Sequence, residues 1–158
     1  MTRVRGAHKN KIGRGVLAGL LMLGLTACAS AKDAAPPDPN LSCTLRHGGA
    51  RVDSLKRLPQ PVRAALKKLA GDMADRGEFF NAGDVVSKPA PFNRFIRGGI
   101  ADGHWYVWYE HGGIAYWHHV VIFAADPYAT PLFNGRSTIA DLCAMTDGML
   151  DGPIREHQ

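Results

Sequence analysis

The stretch from residue 104 to residue 123 concentrates the residue types that could bind a ligand or catalyse a reaction. It holds four of the seven histidines, all three tryptophans and three of the four tyrosines. Imidazoles can ligate zinc or transfer protons, and planar rings suit sugar faces and protein hot spots. Two runs rich in aromatic and β-branched residues meet at Gly112-Gly113, which predicts a β-hairpin. The chemistry open to this stretch therefore depends on which side chains share a face of that hairpin.

A second turn signal, Asp102-Gly103, precedes the hairpin and predicts a strand pairing in front of it. With two residues in each turn, the chain forms a three-stranded meander with one apolar core face. The opposite face is then rich in large rings beside ionisable groups. Its members form a candidate binding face: Arg97, Tyr106, Trp108, Trp117 and His119. The alternative is that the C-terminal helix covers this face and completes the core.

The histidines do not predict a metal site. His118 and His119 are adjacent in a strand and must point to opposite faces. Only His104 and His119 come close in the expected register, as a diagonal pair at roughly 7–8 Å, and zinc would need a further ligand. We therefore expect no metal and no cofactor. A small periplasmic hydrolase using His104 and His119, with or without a metal, is the alternative function.

Motifs for catalysis are missing from the chain. There is no serine in a nucleophile-elbow setting, no His-Glu-x-x-His and no glycine-rich phosphate loop. No catalytic residue is assigned from the sequence.

The remaining segments predict the elements that must support the meander. A helix begins near Pro61 and ends by Gly77, because apolar residues recur there at three- and four-residue steps. A second helix is expected over 139–149, after Thr138 and Asp141, which resemble a capping box. Short extended pieces are expected at 41–45 and 84–86, and irregular chain from 127 to 138. The predicted fold class is α+β, with a small antiparallel meander of at least three strands packed against one or two helices.

The first 27 residues are typical of an export signal. Five Lys and Arg residues and no acidic residue lie within the first 15, and an apolar run follows over 16–25. That run of about ten residues is too short for a membrane span, which needs roughly 20. At its end, Leu25-Thr26-Ala27-Cys28 resembles the lipobox of bacterial lipoproteins. The resemblance covers the leader only, and the rest of the chain is not recognised.

The lipobox resemblance implies that Cys28 becomes the first mature residue, carrying diacylglycerol on its sulfur and an acyl chain, such as palmitate, on its amine. Two or more buried chains anchor a protein stably. Ala29 stands where an aspartate would favour the inner membrane in enterobacterial lipoproteins, so the resemblance favours the inner leaflet of the outer membrane, facing the periplasm. Residues 28–40 then form a lipidated, proline- and alanine-rich tether, and 41–158 form a single domain.

The net charge excludes one class of partner. The whole chain has 19 Lys and Arg against 14 Asp and Glu, but five of those cations lie in the leader, so the mature chain has 19 − 5 = 14 against 14. Its formal charge is zero, and the basic footprint of a nucleic-acid-binding protein is missing.

The three cysteines also fit an exported protein. Without Cys28, Cys43 and Cys143 remain as an even pair, and we expect them to form a disulfide. Two separately buried thiols are the alternative. No specific molecular activity can be derived from the sequence. It favours a lipid-anchored, non-enzymatic binding or accessory module of the cell envelope, with a protein or glycan as its partner.

Overall fold

The computed structural model describes residue 41, residues 43–86 and residues 88–152. The segments predicted to be an export signal, a lipobox with Cys28 and a tether up to residue 40 lie outside the described residues, as do residues 153–158. Within the described ranges, no helix is long and apolar enough to cross a membrane.

Six strands form one sheet within the described ranges: β1 (Arg51–Val52), β2 (Met73–Ala74), β3 (Asn93–Ala101), β4 (His104–His111), β5 (Trp117–Ala124) and β6 (Pro131–Ser137). Their order is β1-β3-β4-β5-β6, with β2 beside β3. β2 runs parallel to β3, and every other neighbouring pair is antiparallel. The predicted α+β class is confirmed, and the antiparallel meander, expected to be small and to have at least three strands, is part of a six-stranded sheet that dominates the described fold.

In the part of the chain that the structure describes, two α-helices cover opposite faces of the sheet. α1 (Gln60–Ala70) buries Val62 and Leu66 in a cluster with the side chains of Val107, Val121 and Phe123. α2 (Leu142–Asp151) buries Leu142 and Leu150 in a second cluster, with Trp108, Val120 and Ile122. Because strand residues alternate between faces, these two clusters lie on the two sides of one sheet. The central strands are consequently buried on both faces.

α1 begins as predicted, with Pro61 in its first turn, and ends earlier than predicted. Gly71 follows its last residue with φ 81°, and the Gly71 N–H donates to the Lys67 carbonyl at 2.8 Å. That left-handed conformation favours glycine and ends the helix. Met73, expected on the apolar helix face, lies in β2 instead.

The turn at Asp102-Gly103 is confirmed. Its two residues have φ values of 47° and 72°, as the two-residue hairpin turn with positive φ at both positions requires. Arg97 lies opposite Trp108, as expected. The register shifts by one residue between Phe95 and Arg97, so that Phe95, rather than Ile96, lies opposite Tyr109.

The prediction of a two-residue turn at Gly112-Gly113 is wrong, because five residues, 112–116, connect β4 to β5. The Gly112 N–H donates to the Phe92 carbonyl at 2.7 Å, and a Cβ on Gly112 would lie 2.0 Å from the Asn81 carbonyl oxygen. Glycine is needed here so that the 81–92 loop can approach the backbone. The longer connection places Tyr109 opposite His119 instead of Tyr116, a shift of three residues that exchanges the two faces of β5.

Three local expectations also need correction. Residues 131–137, expected to be irregular, form the edge strand β6, where Pro131 is tolerated at the first position. Residue 41, residues 43–45 and residues 84–86 are not in strands, and β1 pairs with β3 instead. α2 begins at Leu142, later than expected, and the Thr138 hydroxyl donates to the Asp141 carboxylate at 2.6 Å ahead of it.

The predicted disulfide between Cys43 and Cys143 is present, and the two Cα atoms are 6.2 Å apart. It joins the first described segment to α2. Leu41, Cys43 and Leu45 pack against the same cluster as α2. This segment and α2 therefore cover one face of the sheet together.

Candidate functional site

The predicted binding face does not exist as one exposed surface. Arg97, Tyr106 and Trp108 are 4 %, 5 % and 0 % exposed and lie on the α2 side. The indole N–H of Trp108 donates to the Thr146 hydroxyl of α2 at 2.8 Å. The alternative stated for this face, that the C-terminal helix covers it, is what the structure shows.

Trp117 and His119 lie on the opposite face, because of the longer connection between β4 and β5. Trp117 is 41 % exposed, and His119 is half-buried. The imidazole of His119 stacks on the ring of Tyr109, with ring centroids 4.6 Å apart and planes 9° apart.

Exposed apolar side chains concentrate around this end of the sheet. Among the described residues, eight large hydrophobic side chains are exposed. Six of them belong to the β4–β5 connection, to Trp117 directly after it, or to the 81–92 loop, which forms hydrogen bonds with this connection. Ile114 is the most exposed, at 98 %. Clustered apolar exposure of this kind marks interaction surfaces. We call the following residues the hairpin-end surface: Val85, Val86, Phe92, Ile114, Tyr116, Trp117 and Arg136.

An open groove of about 380 Å³ crosses the hairpin-end surface. Its lining includes Phe92, His111, Trp117 and Arg136 and contains no carboxylate. The guanidinium of Arg136 lies over the Trp117 ring, 5.5 Å from its centroid, a cation–π contact. The groove thus offers apolar area and one fixed positive charge.

The two histidines beside the groove are held by amides. The Nδ1–H of His111 donates to Asn93 Oδ1 at 2.7 Å, and that of His119 to Asn134 Oδ1 at 3.4 Å. Burial lowers the pKa of His119, although its hydrogen bond to Asn134 opposes that shift. His119 is therefore held towards its neutral form, in which Nε2 can accept a hydrogen bond.

A buried polar row lies on the α2 side of the same end of the sheet. Arg94, Glu110, His118 and Ser137 are successive cross-strand partners in β3, β4, β5 and β6. Arg94 Nε donates to Glu110 Oε1 at 2.5 Å, and both side chains are 0 % exposed. The Tyr116 hydroxyl donates to the other Glu110 oxygen. The row thereby fixes Tyr116, the last residue before Trp117, to the sheet.

The row does not form a catalytic triad. Both oxygens of Glu110 are bonded, to Arg94 and to Tyr116. Within the described part of the chain, His118 Nε2 and Ser137 Oγ are buried without a hydrogen-bond partner, so neither activates the other. Burial lowers the pKa of His118, with the charge of Glu110 opposing the shift. Burial, followed by the hydrogen bond to Glu110, raises the pKa of Tyr116.

The predicted proximity of His104 and His119 is wrong. His104 pairs with Ala124, whereas His119 pairs with Tyr109, five residues further along β4. That separation is roughly 16 Å at about 3.3 Å per residue, and the odd spacing puts the two side chains on opposite faces. Within the described ranges, no three His, Cys, Asp or Glu residues come together to hold a metal ion.

A larger groove of about 560 Å³ lies between α1 and the loop after β5. Its lining is mostly small and apolar, with Lys68 as its one charged residue and Tyr128 as its one aromatic residue. It lacks the combination of aromatic, imidazole and cationic groups that the hairpin-end surface has.

The sequence did not point to Phe92, Ile114 or Arg136 as site residues. A two-residue turn at Gly112-Gly113 would place Ile114 on the apolar core face of the meander, and Arg136 lies in the stretch for which irregular chain is expected. The Gly112-Gly113 pair was the available signal, since it could equally have indicated a close approach of another backbone.

Comparison of the chain with protein-family models, with curated proteins and with solved structures finds no match.

Proposed function

We propose that this chain is a lipid-anchored binding module of the bacterial cell envelope, which faces the periplasm and contacts a protein partner through the hairpin-end surface. The exposed cluster of apolar side chains around Trp117 and Arg136 carries this proposal. The anchor rests on the lipobox at Cys28 and the leader before it. The disulfide between Cys43 and Cys143 is compatible with an oxidising compartment.

The composition of the surface favours a protein partner over a glycan. Tryptophan and arginine are the residue types most enriched in protein–protein hot spots, and here they stack on each other. The side chains of Phe92 and Ile114, which line the groove together with Trp117, are exposed and apolar, which suits a dry interface core. A saccharide site would need more hydrogen-bonding groups in the groove itself.

Charge indicates what the partner offers. The groove carries Arg136 and no carboxylate among its lining residues. A complementary partner has an apolar pocket for Trp117 and acidic residues at its rim, facing Arg136. Interfaces of standard size bury about 800 Å² on each side, more than the groove alone provides, so the exposed Val85 and Val86 of the neighbouring loop are expected to contribute.

Site-specific photocrosslinking in intact cells tests this surface. The photoreactive residue replaces Ile114 in the full-length protein, and in a matched control it replaces Tyr128, which is 84 % exposed at the other end of β5. We expect one envelope protein, identified by mass spectrometry, to be captured from position 114 and not from position 128.

The captured protein is then purified and its affinity is measured. We expect Trp117→Ala to weaken binding by at least tenfold, since a hot spot contributes about 2 kcal/mol or more. Tyr128→Ala should leave the affinity unchanged. Equal capture from both positions, capture of a saccharide alone, or unchanged affinity in Trp117→Ala would contradict the proposal.

A further inference from the structure

Arg97 is a buried cation without a carboxylate partner among the described residues. It is 4 % exposed, and its guanidinium lies 5.1 Å from the centroid of the Trp108 ring. Nη1 donates to the Cys43 carbonyl at 3.3 Å, and Nη2 donates to the Leu41 carbonyl at 3.1 Å. A guanidinium has five N–H donors, so three remain uncommitted within the described part of the chain, including Nε. A buried charge without an opposite charge beside it is costly, and a bound counterion would reduce that cost.

A cavity of about 130 Å³ lies beside this guanidinium, with room for several water molecules. Arg97, Arg51 and Tyr106 line it together with the 43–49 segment, and no carboxylate is among its lining residues. Gly49, with φ 111°, allows this segment to approach β3, since a Cβ there would lie 1.7 Å from the Ile100 carbonyl oxygen. The cavity is thus built from two cations and a backbone segment held close to the sheet.

The second cation strengthens the positive field. Arg51 is half-exposed, and its Nε donates to Asp53 Oδ1 at 2.5 Å, which leaves its other N–H groups for a ligand. Burial lowers the pKa of Arg97, and the charge of Arg51 adds to that shift. Burial raises the pKa of Tyr106, while the charges of Arg97 and Arg51 oppose the rise. Both arginines therefore act on the same small volume.

We propose that this cavity binds a phosphate group, either free or esterified in a lipid headgroup, between Arg97 and Arg51. A planar guanidinium matches the spacing of phosphate oxygens and binds them in a bidentate manner. The bound group would supply the negative charge that Arg97 lacks. This site lies on the α2 side of the sheet, so it is separate from the hairpin-end surface and does not depend on the function proposed for it.

Isothermal titration calorimetry with sodium phosphate tests the site, with sodium chloride at matched ionic strength as the reference. We expect saturable binding at one site in the purified mature protein. Arg51→Gln should weaken it at least fivefold, and Arg97→Gln should abolish it. Arg57→Gln, which removes another exposed cation that lies outside the cavity, should have no effect. Because Arg51 is exposed, its variant is expected to fold even if the Arg97 variant does not.

Vesicles distinguish the two sources of phosphate. A Cys28→Ser protein, which lacks the anchoring cysteine, is sedimented with phosphatidylglycerol vesicles or with phosphatidylcholine vesicles. Sedimentation with phosphatidylglycerol that is lost in Arg51→Gln assigns the esterified group. Saturable binding of inorganic phosphate without such sedimentation assigns the free ion. No saturable heat and no Arg51-dependent sedimentation, or equal weakening by Arg51→Gln and Arg57→Gln, would overturn the proposal.

Discussion

Replacing Glu110 by glutamine is expected to lower the free energy of unfolding by about 3–5 kcal/mol, because it removes one partner of a fully buried ion pair. Arg94 and Glu110 are both 0 % exposed and are joined at 2.5 Å. The neutral amide leaves the Arg94 charge in the interior without the carboxylate opposite it. It also gives the Tyr116 hydroxyl a weaker acceptor. Urea denaturation followed by circular dichroism measures the loss.

Two further variants separate this effect from a general sensitivity to mutation. Asp84→Asn removes an exposed carboxylate and should change the stability by less than about 0.5 kcal/mol. Replacing both partners, with Arg94→Met and Glu110→Leu, should recover most of the loss, because apolar residues of similar volume often substitute for a buried pair without cost. A Glu110→Gln protein within about 1 kcal/mol of the natural protein would contradict the role assigned to the row.

Removing the disulfide by Cys43→Ala and Cys143→Ala is expected to cost about 4–5 kcal/mol. The two cysteines are 100 residues apart, and a loop of that length corresponds to about 4.7 kcal/mol in the chain-entropy model. The bond also holds the 41–45 segment and α2 together over Trp108. The loss is expected to appear as a lower midpoint of urea denaturation.

Reduction provides the control for the disulfide prediction. Dithiothreitol should lower the midpoint of the natural protein towards that of the double variant and should leave the double variant unchanged. An oxidised protein and a double variant with the same midpoint would show that the bond does not restrict the unfolded chain.

The features that the sequence predicts correctly are those that depend on local residue types or on the number of cysteines. Asp102-Gly103 accepts positive φ at both positions, so the first hairpin and the pairing of Arg97 with Trp108 follow from the turn itself. The start of α1 follows from Pro61 and the apolar spacing after it. The pairing of Cys43 with Cys143 follows from their number once Cys28 is set apart.

The features that the sequence does not predict are those that depend on contacts between distant segments of the chain. Gly112 is required by the approach of Asn81 and Ala82 rather than by a tight turn, and nothing in the local sequence distinguishes these two uses of glycine. The pairing of β5 with β4 is therefore shifted by three residues from the predicted register, and His119 and Trp117 lie on the face of the sheet opposite to Trp108. β6 was missed because Pro131 and Gly135 weaken a strand pattern that an edge position tolerates.

The candidate site in the structure differs from the predicted binding face for the same reason. The expected aromatic face is rich in rings because it is a core covered by α2, with Trp108 bonded to Thr146. The exposed surface formed instead where the connection between β4 and β5 meets the 81–92 loop. Of the five predicted residues, Trp117 belongs to that surface, and His119 lies beside its groove.

The proposed envelope partner and the proposed periplasmic compartment depend on export of the chain and on its anchoring through Cys28. Mass spectrometry of the protein purified from the membrane fraction tests this most directly. We predict an N-terminal peptide that begins at Cys28 and carries the mass of a diacylglycerol thioether, and a Cys28→Ser variant that lacks this mass and leaves the membrane fraction. An N-terminus at another residue, or an unmodified Cys28 thiol in protein from the soluble fraction, would contradict the account.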